Sequence, residues 1–158
     1  MEKVKIRCKS LCVGDWVANR NGSPMQIVAV DEDNAYACEG NEEHPWIFGD
    51  DEGYEPQSII LTPEILEKNG FDPETFLTDE WGRKVYFKEF PGCVVEPADS
   101  GKYIFGTTKY WSETYGDGSP KDWGTMYESR IYNLQYVHTL QHALRLVGLS
   151  EIADNFKV

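Results

Sequence analysis

The feature that most constrains this fold is an amphipathic stretch near the end of the chain, residues 136–149 (YVHTLQHALRLVGL). Gly148 stands where a helix commonly ends, because glycine tolerates the left-handed conformation there. Four apolar residues recur every three or four positions and therefore share one helical face: Val137, Leu140, Leu144 and Val147. The polar residues fall largely on the opposite face: His138, Gln141, His142 and Arg145. The pattern predicts a helix that packs against a sheet.

The first 61 residues have the pattern of short strands joined by tight turns. Charged and apolar residues alternate over residues 3–9, and further strands are predicted at 16–18, 25–30 and 35–39. Glycine-containing turns separate them, at Gly14-Asp15 and at Asn21-Gly22. This arrangement predicts a small, strongly bent antiparallel sheet of the SH3-like kind.

The remaining chain predicts a second group of strands and helices. Thr62 and Pro63 suit a helix start and Asn69-Gly70 a helix end, which predicts a short central helix. A turn is expected from Asp72-Pro73, and residues 112–124 are expected to form a long loop. Strands are predicted at 84–90, 93–96, 103–105 and 130–135, and a final helical turn is predicted from residue 150. The prediction is one α+β domain, residues 1–158, with a barrel-like part over 1–61 and the rest over 62–158.

The charge balance narrows the classes of partner. The formal net charge is −12, from 27 acidic and 15 basic residues, whereas binders of duplex nucleic acid usually present a basic patch. We therefore expect neither duplex nucleic acid nor an anionic membrane surface as partner. The chain starts without a basic segment followed by an apolar one, so a cytoplasmic location is expected.

The four cysteines are expected to be reduced and mostly buried. Cys8 and Cys12 are spaced C-x3-C, which differs from the common zinc knuckle, and Cys38 and Cys93 lie in predicted strands. Free cysteine is among the most buried residue types. A zinc site made by these thiols is the alternative.

An acidic segment precedes the central helix. Residues 39–55 contain seven acids and neither lysine nor arginine, which predicts an exposed loop with residues 46–48 held against the body of the protein. The spacing of the acids does not match a calcium-binding EF-hand loop.

Two histidines could hold a metal. His138 and His142 are four residues apart and would be stacked on one helical face, a geometry that suits zinc. Thr139 occupies the position where a metalloprotease helix carries its catalytic glutamate, so that hydrolase class is excluded. A third ligand would have to come from His44, a cysteine or a distant acid. The favoured interpretation is that His138 is partly buried and, with Gln141, hydrogen-bonds the helix to the sheet or the preceding loop.

The aromatic-rich segment around residues 110–127 is the strongest sign of binding. Exposed rings beside small polar residues are common at recognition surfaces, although the rings could instead staple a loop to the sheet. The candidate binding residues are Tyr110, Trp111, Tyr115, Trp123, His138 and Gln141. No nucleophile elbow, phosphate loop or dinucleotide fingerprint is present.

Two motifs resemble those of a known group of proteins. Leu61, Thr62, Glu64, Leu66, Gly70 and Phe71 form an LTxExLxxxGF pattern, and Tyr136, Val137, His138, Leu140 and Gln141 form YVHxLQ. Together with the opening LCVGDWV, these resemble an uncharacterised family of short proteins from Bacteroidetes genomes and mobile elements. The continuation after YVHxLQ departs from that family's more aromatic pattern. The resemblance implies a lineage and an architecture but no activity.

The function expected from the sequence is a cytoplasmic interaction module without catalytic machinery or cofactor, whose partner is a protein or a small ligand. The aromatic segment is its expected contact surface. One alternative is a metal-dependent enzyme that uses the His138/His142 face. The other is an acidic accessory protein of a phage or mobile element that imitates a polyanion.

Overall fold

The computed structural model of the 158-residue chain describes residues 4–38, 45–51, 54–78, 84–88, 92–114 and 120–158. For residues 74–78, 99, 108–114 and 120–128 it describes the backbone alone. The described chain is α+β, as predicted, with two antiparallel sheets and short helices. It divides into two compact units, one of Met1–Lys68 with Gln135–Val158, the other of Asn69–Leu134.

The first unit contains a four-stranded antiparallel sheet. Its strands are β1 (Trp16–Ala18), β2 (Pro24–Val30), β3 (Asn34–Cys38) and β4 (Trp46–Gly49), paired in that order. The bounds of β1, β2 and β3 lie within one residue of those predicted, because alternation and turn glycines mark them well. The sheet encloses a buried apolar cluster: Ile6, Cys8, Leu11, Val17, Met25, Ile27, Ala35, Ala37 and Phe48. The finer SH3-like assignment stays a prediction.

The strand predicted over residues 3–9 is wrong, because the described residues from 4 onward do not form a continuous strand. Lys5 makes only an isolated bridge to Gln57, and the chain then enters a 3₁₀ turn at Cys8–Ser10. The amide of Cys8 donates to Asp50 Oδ1 at 2.8 Å, which takes it out of any strand ladder. The alternation still places Cys8 in the core, where it is 1% exposed.

Three α-helices are described: α1 (Pro63–Lys68), α2 (Val137–Leu146) and α3 (Ser150–Asp154). The predicted apolar face of α2 is confirmed for Val137, Leu140 and Leu144, which are fully buried, whereas Val147 is half-buried just after the helix. The segment before α2 is tied to the segment before α1, since the amide of Val137 donates to the carbonyl of Ile59 at 2.9 Å. Helix α2 therefore packs with the first unit.

Helix α2 ends as its sequence predicts. Gly148 has φ +84°, and its amide donates to the carbonyl of Arg145 at 3.0 Å. The amide of Leu149 donates to the carbonyl of Leu144 at 2.8 Å, which completes a Schellman motif. The chain turns sharply there and enters α3.

The second unit is a five-stranded antiparallel sheet. Its strands are β5 (Asp72–Thr78), β6 (Lys84–Lys88), β7 (Cys93–Pro97), β8 (Tyr103–Thr114) and β9 (Pro120–Leu134), paired in chain order. The turn predicted from Asp72-Pro73 is wrong, since both residues belong to β5. The long loop predicted over residues 112–124 is wrong for 112–114 and 120–124, which belong to β8 and β9, while residues 115–119 lie outside the described residues. Pairing along a long hairpin overrides the turn-forming composition of this segment.

The two units do not follow the division predicted at residue 61, because α2 and α3 group with the N-terminal strands. The prediction of a single domain stays a prediction. Among the described residues, no helix has both the length and the apolar character needed to cross a bilayer.

Candidate functional site

The polar face of α2 contacts the turn before β1 and forms a charged cluster there. Asp15 is fully buried, and its Oδ2 lies 2.6 Å from His142 Nε2 and accepts the amide of Cys12 at 2.8 Å. Its Oδ1 accepts a hydrogen bond from Arg145 Nη1 at 2.5 Å. Arg145 also forms an ion pair with Oδ1 of Asp154, the last residue of α3, at 3.0 Å. The polar side of α2 therefore contacts the preceding part of the same chain, through His142 and Arg145 as well as the residues for which a contact was predicted.

Electrostatics favour the ionised form of Asp15. Burial by itself raises the pKa of a carboxyl, but the hydrogen bonds from His142, the Cys12 amide and Arg145 outweigh it and lower the pKa of Asp15. A buried carboxylate is tolerated only when it is paired and hydrogen-bonded in this way. The cluster thus joins helix and turn through a charge that neither element could bury alone.

Gln141 makes the link between helix and sheet that was predicted from the sequence. The side chain is fully buried, and its Oε1 accepts the amide of Trp16 at the start of β1 at 2.9 Å. Its Nε2 donates to the carbonyls of Gly14 and Ala153, each at 2.8 Å. One amide therefore connects α2 to β1, to the preceding turn and to α3.

His138 is buried, but its ring Nδ1 has no hydrogen-bond partner among the described residues. The ring stacks on Tyr136 with centroids 5.9 Å apart and meets the ring of His142 edge-on at 5.9 Å. Burial lowers the pKa of His138 to about 4, so the imidazole is neutral at pH 7. The predicted partial burial is confirmed, whereas the predicted hydrogen bond is not formed at Nδ1.

Three side chains of this cluster could hold a metal ion. Cys12, Asp15 and His142 each offer one ligand atom, and these atoms lie within 4.8 Å of one another. His138 does not belong to the group. Of the third ligands considered from sequence, His44 lies outside the described residues, whereas a cysteine and a distant acid are present as Cys12 and Asp15. Sequence alone could not find this set, because Asp15 and His142 are 127 residues apart. The expected histidine pair thus contributes one member.

The same three residue types could suggest a cysteine nucleophile, but the electrostatics argue otherwise. Burial and the charge of Asp15 raise the pKa of Cys12 above its usual value, with Arg145 acting in the opposite direction. A nucleophilic cysteine needs a lowered pKa, since the thiolate is the reactive form. The arrangement therefore does not favour covalent catalysis by Cys12.

The remaining thiols are free as well. Cys8 and Cys93 are buried as expected, Cys38 is half-buried, and Cys12 is exposed, contrary to the expectation for most cysteines. Burial raises the pKa of Cys8 to about 11 and that of Cys93 to about 12, which makes both inert core residues.

The predicted aromatic binding residues lie on the β8–β9 hairpin rather than on a loop. Tyr110 pairs with Thr125, Trp111 with Gly124, and Trp123 with Ser112, which places their backbones on neighbouring rungs. Tyr115 lies outside the described residues. The use of these rings in binding stays a prediction.

The structure reveals a different exposed apolar group at β4, which sequence analysis missed. Trp46 is 41% exposed, Ile47 is 55% exposed, and Tyr54 in the following segment is 66% exposed. Only Phe48 of β4 is buried, so the prediction that residues 46–48 are held against the body is correct for that residue alone. The sequence does contain a signal for this exposed group, because the apolar residues interrupt an otherwise acidic segment.

Comparison of the chain with protein-family models, with curated proteins and with solved structures finds no match. The resemblance to the Bacteroidetes family stays a prediction.

Proposed function

We propose that this protein is a non-enzymatic interaction module that binds a basic, extended polypeptide along β4. The observation that carries the proposal is the exposure of Trp46 and Ile47 on the last strand in the described order of the sheet. Peptides often add to a terminal strand by main-chain hydrogen bonds, while side chains on alternate positions give specificity. Aromatic side chains supply much of the binding energy at such contacts.

Charge favours a basic partner. The seven acids of residues 39–55 surround the exposed apolar side chains in sequence, and no lysine or arginine accompanies them. The whole chain carries a formal charge of −12, which attracts cationic partners and accelerates their association. Acids that lie next to exposed apolar residues in sequence are complementary to a segment that alternates basic and apolar residues.

The described titratable groups support a binding role over catalysis. Asp15, Arg145 and Gln141 are used in holding α2, and the pKa of Cys12 is raised rather than lowered. The four free thiols suit a reducing compartment, so we place the module in the cytoplasm.

The test is an NMR titration of the ¹⁵N-labelled protein with two synthetic peptides. One alternates lysine and valine, and the other alternates glutamate and valine at the same length. We expect shifts of the β4 amides with the lysine peptide only, because the acidic segment repels the other. Equal binding of both peptides, or shifts confined to the β8–β9 hairpin, would contradict the proposed surface.

Matched variants locate the contact. Trp46→Ser is expected to weaken binding of the lysine peptide at least tenfold, which is about 1.4 kcal/mol, as for an aromatic anchor. Leu146→Ser is the control, because Leu146 is 79% exposed on another element. Trp111→Ala and Trp123→Ala form a third arm, and an effect larger than that of Trp46→Ser would favour the aromatic hairpin instead.

A further inference from the structure

We propose that Cys12, Asp15 and His142 form a binding site for one Zn²⁺ ion, with a fourth position open to solvent. The proposal rests on side chains brought together by the turn before β1 and the polar face of α2, whose ligand atoms lie within 4.8 Å of one another. It does not depend on the peptide surface at β4.

The donor set fits zinc better than the hard cations. A thiolate, an imidazole and a carboxylate are the three protein ligands that zinc uses, at about 2.0–2.3 Å. Magnesium and calcium prefer oxygen ligands throughout, which a cysteine and a histidine do not provide. Three protein ligands with one open position is also the arrangement of zinc sites that bind an exogenous molecule.

Entry of the ion requires a small movement of His142. Its Nε2 lies 2.6 Å from Asp15 Oδ2, whereas two tetrahedral zinc ligands are about 3.4 Å apart. The His142 side chain is 33% exposed and Cys12 is exposed, so both can adjust from the solvent side. The ion then replaces the hydrogen bond between His142 and Asp15 with two coordinate bonds. The proton of that hydrogen bond leaves for solvent or for His142 Nδ1, and the thiol proton of Cys12 is released to solvent.

Asp15 is the fixed ligand. Arg145 holds its Oδ1 and the Cys12 amide reaches its Oδ2, so the carboxylate is oriented before any ion arrives. Hydrogen-bonded partners of this kind commonly orient metal ligands and contribute to affinity. The thiolate of Cys12 and the carboxylate of Asp15 would together supply two negative charges, which match the charge of Zn²⁺, while the Arg145 guanidinium is also paired with Asp154.

The experiment is a titration of the untagged, reduced, full-length chain with Co²⁺, followed by displacement with Zn²⁺. We expect one equivalent to bind, with the near-ultraviolet absorption of thiolate-to-cobalt charge transfer, and Zn²⁺ to abolish that absorption. Cobalt binding without the thiolate band would overturn the proposal, as would failure to bind either ion.

Two cysteine variants identify the thiol. Cys12→Ala is expected to weaken Zn²⁺ binding by about 100-fold and remove the charge-transfer band, since losing even an outer partner costs 10–100-fold. Cys38→Ala, at a half-buried cysteine outside the cluster, is expected to change neither. The reverse pattern would overturn the proposal. Cys12→Ala should leave binding of the lysine peptide unchanged, so failure of one proposal is distinguishable from failure of the other.

Discussion

At the scale of single residues, the buried polar side chains of α2 differ in how well they are satisfied. Gln141 makes three hydrogen bonds, and Asp15 is surrounded by donors, whereas His138 Nδ1 has no partner among the residues that the structure describes. An unsatisfied buried polar atom costs about 1–3 kcal/mol, while satisfied ones fix the register of the elements that they join. His138 and Gln141 are both buried on one helix, but only the polar atoms of Gln141 are known to be satisfied by partners among the described residues.

His138 makes stability depend on pH. Its folded pKa of about 4 lies below the unfolded value of 6.5, so the unfolded chain binds more protons between these values. The stability contributed by keeping His138 neutral is therefore fully present above pH 6.5. It falls by about 3 kcal/mol as the pH drops to 4, since each tenfold difference in proton affinity is worth about 1.4 kcal/mol. His138→Phe should flatten this part of the profile in urea unfolding. An unchanged slope in the variant would show that another group is responsible.

Gln141→Leu tests the buried amide. Leucine fills a similar volume but leaves the backbone amide of Trp16 without its acceptor. We therefore expect a loss of about 3 kcal/mol in the free energy of unfolding. Gln26→Ala is the control, because its half-buried side chain reaches the same Gly14 carbonyl at the longer distance of 3.2 Å. The control should lose less than about 1 kcal/mol. Equal losses would mean that burial of the Gln141 amide is not what holds α2.

At the scale of elements, α2 is the connection that closes the first unit. Its apolar face is buried, its polar face pairs with the turn before β1, and its C-terminal Schellman motif directs the chain into α3. The hydrophobic period predicts the buried apolar face, and Gly148 predicts the end of the helix. The pairing of the polar face depends on Asp15, which lies outside the helix.

Gly148→Ala tests the end of α2. None of the described residues lies within 4 Å of an added Cβ, so we expect a cost from the left-handed conformation at φ +84°, of about 1–2 kcal/mol. Leu146→Ala, at an exposed helical position, should change stability by less than about 0.5 kcal/mol. Thermal unfolding followed by circular dichroism compares the two, and a neutral Gly148→Ala would argue against strain at this turn.

At the scale of the whole molecule, the net charge bears on the proposed basic partner. A net charge of −12 makes long-range attraction part of any encounter with a basic peptide, and mobile ions screen it with a Debye length of about 10 Å at 0.1 M salt. The association step should therefore depend on salt more strongly than the dissociation step.

Stopped-flow association with the lysine–valine peptide measures this dependence. We expect the association rate constant to fall at least about tenfold between roughly 0.01 and 0.15 M salt, with a smaller change in the dissociation rate constant. A peptide in which half of the lysines are replaced by glutamine serves as the comparison and should show a weaker dependence. An association rate constant that does not change with salt would show that binding does not depend on the negative charge of the chain.

The sequence by itself determined the elements whose signals are local. Periods of two and of three to four residues, with turn and cap residues, placed β1, β2, β3 and α2, because these patterns reflect neighbours along the chain. The tertiary structure alone decided the extent of β8 and β9, the exposure of Trp46 and Ile47, and the meeting of Asp15 with His142 and Arg145. Each of these depends on a partner strand or side chain distant in sequence, and the energy of such a contact exists only once the chain has folded.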